Sequence, residues 1–153
     1  MNSTKIVPLL IKYGGWTSVA LVVYFLLMKL FNLETVVELR FLNFFIMFLG
    51  IRFFLLRLKR ENNDKLEYLP ALGYGFLVAT FASVIFSVFM FIYLSYIDHA
   101  MMQYIQEHKP FGERLTPASA AVVLILEGDS SGAIISFALA QYLGKETQMK
   151  QAD

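Results

Sequence analysis

Four stretches of this chain, residues 13–33, 39–56, 69–96 and 118–143, stay apolar over lengths that match the hydrocarbon core of a bilayer. That limits the fold more than any motif does. Crossing about 30 Å of hydrocarbon takes roughly 20 helical residues, and because lipid offers no hydrogen bonds to the backbone, only helices and closed barrels can cross. The second stretch, LRFLNFFIMFLGIRFFLL, lacks the period-2 alternation that a barrel strand needs over about ten residues. The expected fold is therefore an all-α integral membrane protein, one domain over residues 1–153, with four transmembrane helices in an antiparallel bundle. Composition agrees: 58% of the residues are hydrophobic, against roughly 45–50% in an ordinary soluble domain.

Lys5 and Lys12 precede the first stretch as cations precede a signal peptide. Its apolar run is too long for one, and Leu30-Phe31-Asn32-Leu33 offers no small-residue cleavage site, so the segment reads as an uncleaved anchor. Cations then orient the bundle. Lys5, Lys12, Arg52, Arg57, Lys59, Arg60, Lys65, Lys145 and Lys150 fall to one side, leaving Lys29, Arg40, Lys109 and Arg114 for the other. The positive-inside bias makes both termini and the loop from Arg57 to Tyr68 cytoplasmic in a multi-pass arrangement. Trp16, Tyr68 and Tyr96 fall where belt aromatics are expected. Arg52 should snorkel to head groups, and Arg57, Lys59 and Arg60 in RLKRENNDK, residues 57–65, are candidates for lipid head-group contact, although Glu61 and Asp64 dilute their charge.

Composition also excludes several chemistries. A net charge of +1 without a basic block gives no footprint for nucleic acid. The absence of cysteine rules out disulfides, thiolate metal sites and iron–sulfur clusters. The two histidines, His99 and His108, are nine residues apart, on opposite sides of a straight helix, so no metal site is expected. Neither lies within a span where a haem ligand would sit. No nucleophile elbow, zinc-protease pair, phosphate loop or dinucleotide fingerprint occurs. Catalytic residues and cofactors are accordingly expected to be absent.

Two helices carry a packing pattern. Gly75, Ala79, Ser83 and Ser87 recur every four residues in the third stretch, and Gly128, Gly132, Ser136, Ala140 and Gly144 do so in the fourth. Small residues at that spacing open a groove on one helix face, and close backbone approach is what drives helices together in lipid. The two grooves are expected to meet partners, either each other or a second copy of the chain. Between these stretches, IDHAMMQYIQEHK, residues 97–109, gathers Ile97, Met101, Tyr104, Ile105 and His108 on one face. That is the pattern of an amphipathic helix, expected to extend the third helix outward and lie at the outer interface. Thr116 and Pro117 form a start signal for the last helix, with Thr116 as cap, and the polar tail after Gly144 is expected to fray.

The segment ILEGDSSGAIIS, residues 125–136, breaks the apolar rule with Glu127 and Asp129. Ten strongly apolar residues between positions 122 and 143 contribute roughly 3 to 6 kcal/mol to insertion, and two central acids would cost about 2.5–3.5 kcal/mol each. The helix therefore needs protonation, a partner, or a placement that lifts the acids toward the surface, and ionisable groups at such depth are candidate functional sites. Residues two apart point about 200° from each other, so the two acids cannot share one site on a straight helix. Asp129 falls on the groove side, within reach of Thr80, Ser83 and Ser87; Glu127 falls toward Ser130 and Ser131, with Asn43 or Arg40 at matching depth. A local helix break at Gly128 would expose backbone to a wet cavity.

The third stretch, ALGYGFLVATFASVIFSVFMFIYLSYID, the polar stretch after it, and EGDSSGAIISFALAQYLGK, with its acid shortly before a Gly-x-x-x-Ser run, together resemble an uncharacterised family of four-helix bacterial inner-membrane proteins of Bacteroidetes type, a domain of unknown function. The resemblance implies a four-span fold with both ends inside and no established activity, substrate or cofactor. Two functions fit these features. One is a non-catalytic subunit or scaffold that binds membrane lipid and self-associates or docks to a larger membrane complex; the other is a small oligomeric proton- or ion-coupled transporter using Glu127 or Asp129.

Overall fold

The structure is a computed structural model that describes the backbone of residues 3–33, 39, 41–62, 66–108 and 114–152, with side chains described for 6–33, 39, 41–62, 66–108 and 114–144. Expectations that fall on Lys5, Arg40, Asp64, Lys65, Lys109, Lys145 and Lys150 lie outside the described side chains. The order is α1 (Ser3–Leu30), α2 (Phe41–Glu61), α3 (Tyr68–Ile92), a π-helical turn (Tyr93–Ile97), α4 (His99–His108) and α5 (Pro117–Ala152). No strand occurs among the described residues. Four segments, Ile6–Leu30, Phe41–Glu61, Tyr68–Ile97 and Pro117–Gly144, are long and apolar enough to cross a membrane, which makes this a multi-pass membrane protein by length and composition.

The boundaries differ from the expected 13–33, 39–56, 69–96 and 118–143, each for a local reason. The first helix begins ten residues early because Ile6 is buried and Leu9, Leu10 and Tyr13 pack on the core. It ends at Leu30 because Asn32 turns into the left-handed region at φ 54°. The Leu33 N–H then reaches Met28 O at 2.9 Å and the Asn32 N–H reaches Lys29 O at 3.0 Å, the paired bonds of a Schellman ending with Asn in glycine's usual place. Arg57, Lys59 and Arg60 belong to the last turns of α2 rather than to a loop, since Leu58 and Lys59 are buried and hold that turn against the core. The last helix neither breaks at Gly128 nor frays after Gly144, whose φ remains helical; it runs to Ala152.

Antiparallel order follows from the contacts. On α1 and α2, the Tyr13 ring meets the Phe54 ring at 6.2 Å, and the Tyr24 hydroxyl donates to Leu39 O at 2.7 Å. On α1 and α3, numbers rise together: Gly14 faces Phe81, and Phe25 meets Phe89 and Tyr93 at 6.1 and 5.1 Å between ring centres. α3 and α5 run in opposite directions, Gly75 facing Ser136 and Ser83 facing Gly128. The start of α1, the end of α2, the start of α3 and Gly144 therefore share one end of the bundle. α3 is its axis, burying Ala71, Gly75, Val78, Ala79, Ala82, Ser83, Phe86, Ser87 and Met90 against the other three long helices.

The segment expected at 97–109 as a continuation of the third helix is a separate helix. Asp98 leaves helical geometry at φ −133° and ψ 79°, and the π turn closes when its N–H donates to Tyr93 O at 3.0 Å. α4 then starts anew with Met102 buried under it. Gln106 Nε2 donates to Leu115 O at 2.9 Å, tying α4 to the approach of α5. Thr116 caps α5 as expected from its position: the Ser119 N–H donates to Thr116 Oγ1 at 3.2 Å while the Thr116 N–H donates to Ser119 Oγ at 2.8 Å, a reciprocal capping box built with serine.

Candidate functional site

Two different surfaces of α5 organise the candidate site. Along one, Gly128, Gly132 and Ser136 lie against Ser83, Ala79 and Gly75 of α3. A methyl group added at Gly132 would run into Ala79 Cβ, and one at Gly128 into Ser83 Oγ; at Gly75 it would stand 2.8 Å from Ser136 Oγ. The four-residue step continues to Ala71 and Ala140, both fully buried. The two small-residue grooves meet within one chain, so neither is left open for a second copy. Close backbone approach at glycine is the attraction that lipid cannot supply through hydrophobicity.

Along its neighbouring face, α5 stands away from α2 and leaves a half-open cleft of about 300 Å³. Leu21 of α1, Phe41, Asn43, Phe44 and Met47 of α2, Ser83 and Phe86 of α3, and Leu124, Glu127, Gly128 and Ser131 of α5 line it. Burial separates floor from rim. Leu21, Met47, Ser83 and Phe86 are between 3% and 9% exposed, whereas Phe41 is 71% exposed and Phe44 37%. Glu127 is also exposed and belongs to the rim. Its distance from Pro117 along the helix is about 15 Å, and the 28-residue span is about 42 Å long, longer than a hydrocarbon core of about 30 Å. The cleft thus lies toward the end of the bundle where α2 begins.

The acids separate as the helical angle requires. Glu127 and Ser131, one turn apart, face the cleft; Asp129 does not line it. Ser130 turns outward, donating to Leu126 O at 2.7 Å. The hydroxyls expected to serve Asp129 do not reach it: Asp129 Oδ1, Thr80 Oγ1, Ser83 Oγ and Ser87 Oγ are all buried without a hydrogen-bond partner, as are Ser136 Oγ and Asn43 Oδ1. Small side chains bring α3 and α5 close together at Gly128, Gly132 and Gly75, and the hydroxyls there are packed without a partner. Such orphaned polar atoms are costly when no partner is supplied.

At the far end of α1 the structure brings together a pair that the sequence pattern did not single out. Lys29 forms a salt bridge with Asp98, whose side chain is 12% exposed. Asp98 Oδ1 also accepts the Met101 N–H at 2.8 Å, capping α4. The Lys29 hydrogen bond holds the Asp98 carboxyl below its ordinary value; burial pushes the other way, and the Met101 N–H adds to the lowering. An Asp immediately ahead of an amphipathic helix is an N-cap signal, which a helix drawn straight through Asp98 passes over; the Lys29 partner, 69 positions away in the numbering, leaves no local signal.

Among the cations, Arg52, Arg57 and Arg60 are exposed. Arg57 pairs with Glu61 one turn on at 3.1 Å. Lys59 differs from the head-group expectation, being 5% exposed and covered by the protein, because it shares the inward face of α2 with Leu55 and Leu58. His108 stacks on Tyr104 at 4.2 Å between ring centres, and no group of three metal-ligating side chains occurs among the described residues.

No curated protein and no solved structure matches the chain. A family match extends over residues 12–111, from within α1 to just beyond α4, so that α5 with Glu127 and Asp129 lies past its end. The matching family is described as Protein of unknown function (DUF4199), and the chain belongs to it.

Proposed function

We propose that this chain is a non-catalytic accessory subunit of the bacterial inner membrane that works by docking to a partner membrane protein, with both termini in the cytoplasm and α4 lying at the outer interface as an amphipathic helix. The orientation rests on nine cations that the sequence assigns to the end where α1 starts and α5 closes its span. The observation that carries the docking reading is a division of labour among helix faces. The small residues of α3 and α5 are spent on each other, while α2 keeps an outward ridge at every fourth position, Phe41, Phe45, Leu49 and Phe53, from 45% to 71% exposed. Aromatic ridges of this kind supply large, rigid contact area in interfaces. Purification from native membranes in mild detergent tests it. Co-purifying neighbours should be retained by the parent chain and lost when Phe45 and Phe53 are both changed to Ala; a chain that migrates alone in both forms refutes the reading.

The half-open cleft favours a second reading, a small carrier in which Glu127 takes up and releases a proton. Proteoliposome flux decides it: Glu127→Gln should abolish coupled uptake, and identical flux in parent and variant would dismiss the carrier.

A further inference from the structure

We infer that Arg52, on the outward ridge of α2, receives a carboxylate from a transmembrane helix of the docking partner, so that the partner is a membrane protein with an Asp or Glu inside its own span. This rests on the docking reading above and names the chemistry of its partner. Position comes first. Arg52 is exposed and follows Phe45 by seven residues and Leu49 by three, about 20° and 60° from them around the helix, so it belongs to the ridge face. Its neighbour Ile51 packs against Gly75 beside Ser136. These lie seven and eight residues inside Tyr68 and Gly144, the ends of their spans, or about 10–12 Å. A hydrocarbon core of about 30 Å centred on the 28-residue span of α5 leaves about 6 Å at each end. The Arg52 backbone therefore lies about 5 Å inside the hydrocarbon.

Chemistry comes second. A guanidinium stays charged and offers its N–H donors in a planar fork, yet Arg52 makes no hydrogen bond or ion pair with any described residue, whereas Arg57, nearer the end of the helix, is matched by Glu61. Charges at membrane depth are costly and pair with one another. Snorkelling to the head groups beyond Glu61 runs against the geometry of the helix. Side chains lean toward the N-terminus of their helix, and α2 runs from Phe41 to Glu61, so the Arg52 stem leaves the backbone toward the middle of the membrane, where no phosphate is at hand. A carboxylate brought there takes the fork bidentately and neutralises it in place.

The identity of the partner comes third, and depth argues against a second copy. Apart from Glu61 at a helix end, the acids of the four candidate spans are Glu127 and Asp129. Glu127 shares its level with Phe41, Asn43, Phe44 and Met47, at least about 7 Å along the axis from Arg52. Asp129 precedes Ser136, which is level with Ile51, by seven residues, or about 10 Å. Two copies facing each other along α2 would also bring their Arg52 side chains to one depth, where like charges repel. A different chain with its acid at the level of Arg52 meets neither obstacle, and the exposed Phe45, Leu49 and Phe53 supply the rigid apolar area that keeps lipid from between the two helices.

Photocrosslinking of the full chain in native membranes tests this. The photoreactive residue p-benzoylphenylalanine takes the place of Phe53 and, in a separate preparation, of Phe45, an aromatic for an aromatic each time, and the crosslinked peptide is sequenced by mass spectrometry. The expected product is a transmembrane segment of another protein that carries an Asp or Glu within a turn of the residue joined to position 53. Arg52→Leu, which suits a lipid-facing site and should keep the melting temperature, should lower the yield about tenfold, the worth of one polar contact between helices in lipid. Arg52→Glu should abolish the product, and changing the partner's acid to Arg should restore it in that background. A partner segment without an acid, a parent-level yield with Arg52→Leu, or no restoration by the exchanged charges overturns the inference and leaves the docking reading in place. Crosslinks to lipid alone, or to a second copy of the chain, overturn both.

Discussion

The seam between α3 and α5 and the cleft between α2 and α5 share one helix and one stretch of membrane, yet the first is closed and the second is open. Side-chain size accounts for the difference. On the seam, Gly128, Gly132 and Ser136 meet Ser83, Ala79 and Gly75, and nothing larger than a hydroxymethyl group keeps the backbones apart. On the cleft side, Phe44, Met47 and Leu124 hold α2 and α5 at a distance without filling what lies between. In water the hydrophobic effect would press both contacts shut. In lipid it does not act between helices, so an interface closes only where the surfaces fit.

The largest effect that would break this comparison is overpacking the seam. Gly132→Leu must displace Ala79, and we expect a loss of about 3 kcal/mol, the upper end for overpacked sites, measured as a shift in the SDS unfolding midpoint in mixed micelles. An unchanged midpoint would mean that the seam is not the tight contact of the bundle.

The Lys29–Asp98 clasp, at the end of α1, should come next. Lys29→Met leaves a 12%-exposed carboxylate without its cation and should cost about 2 kcal/mol in the same assay. Its pH dependence has a definite sign. The folded carboxyl titrates below its ordinary value of 3.8, so the clasp's contribution is complete above that pH and disappears as pH falls through the lower, folded value. Asp98→Asn should therefore flatten the acid limb of the melting-temperature profile below pH 3.8; an acid limb identical to the parent's would separate α4 from the clasp.

Smaller effects sharpen the contrast. Ser87 is 1% exposed and its hydroxyl has no partner, so Ser87→Ala should raise stability by about 1 kcal/mol. A loss of that size would reveal a hydrogen bond across the seam. On the cleft rim, Phe44→Ala should change the midpoint by less than about 0.5 kcal/mol, because the ring is 37% exposed and exchanges protein contact for lipid contact. A loss like that of Gly132→Leu would make the two sides of α5 equivalent.

By itself the sequence determined the number of segments long and apolar enough to cross a membrane and their helical form, since apolar runs of this length without period-2 alternation can satisfy their backbone hydrogen bonds in lipid only as helices. It also carried the small-residue grooves and the opposite facing of Glu127 and Asp129, because a four-residue step and a 100° turn are properties of one helix. Only the tertiary structure decided that the two grooves meet inside one chain, that residues of all four long helices line one cleft, and that Lys29 reaches Asp98 across 69 positions. It also turned the expected straight extension of the third helix into a π turn and a new helix, since Asp98 serves Lys29 and Met101 from a non-helical backbone. Periodicity is a one-helix quantity; which faces meet, and at what distance, depends on how four helices share the same volume.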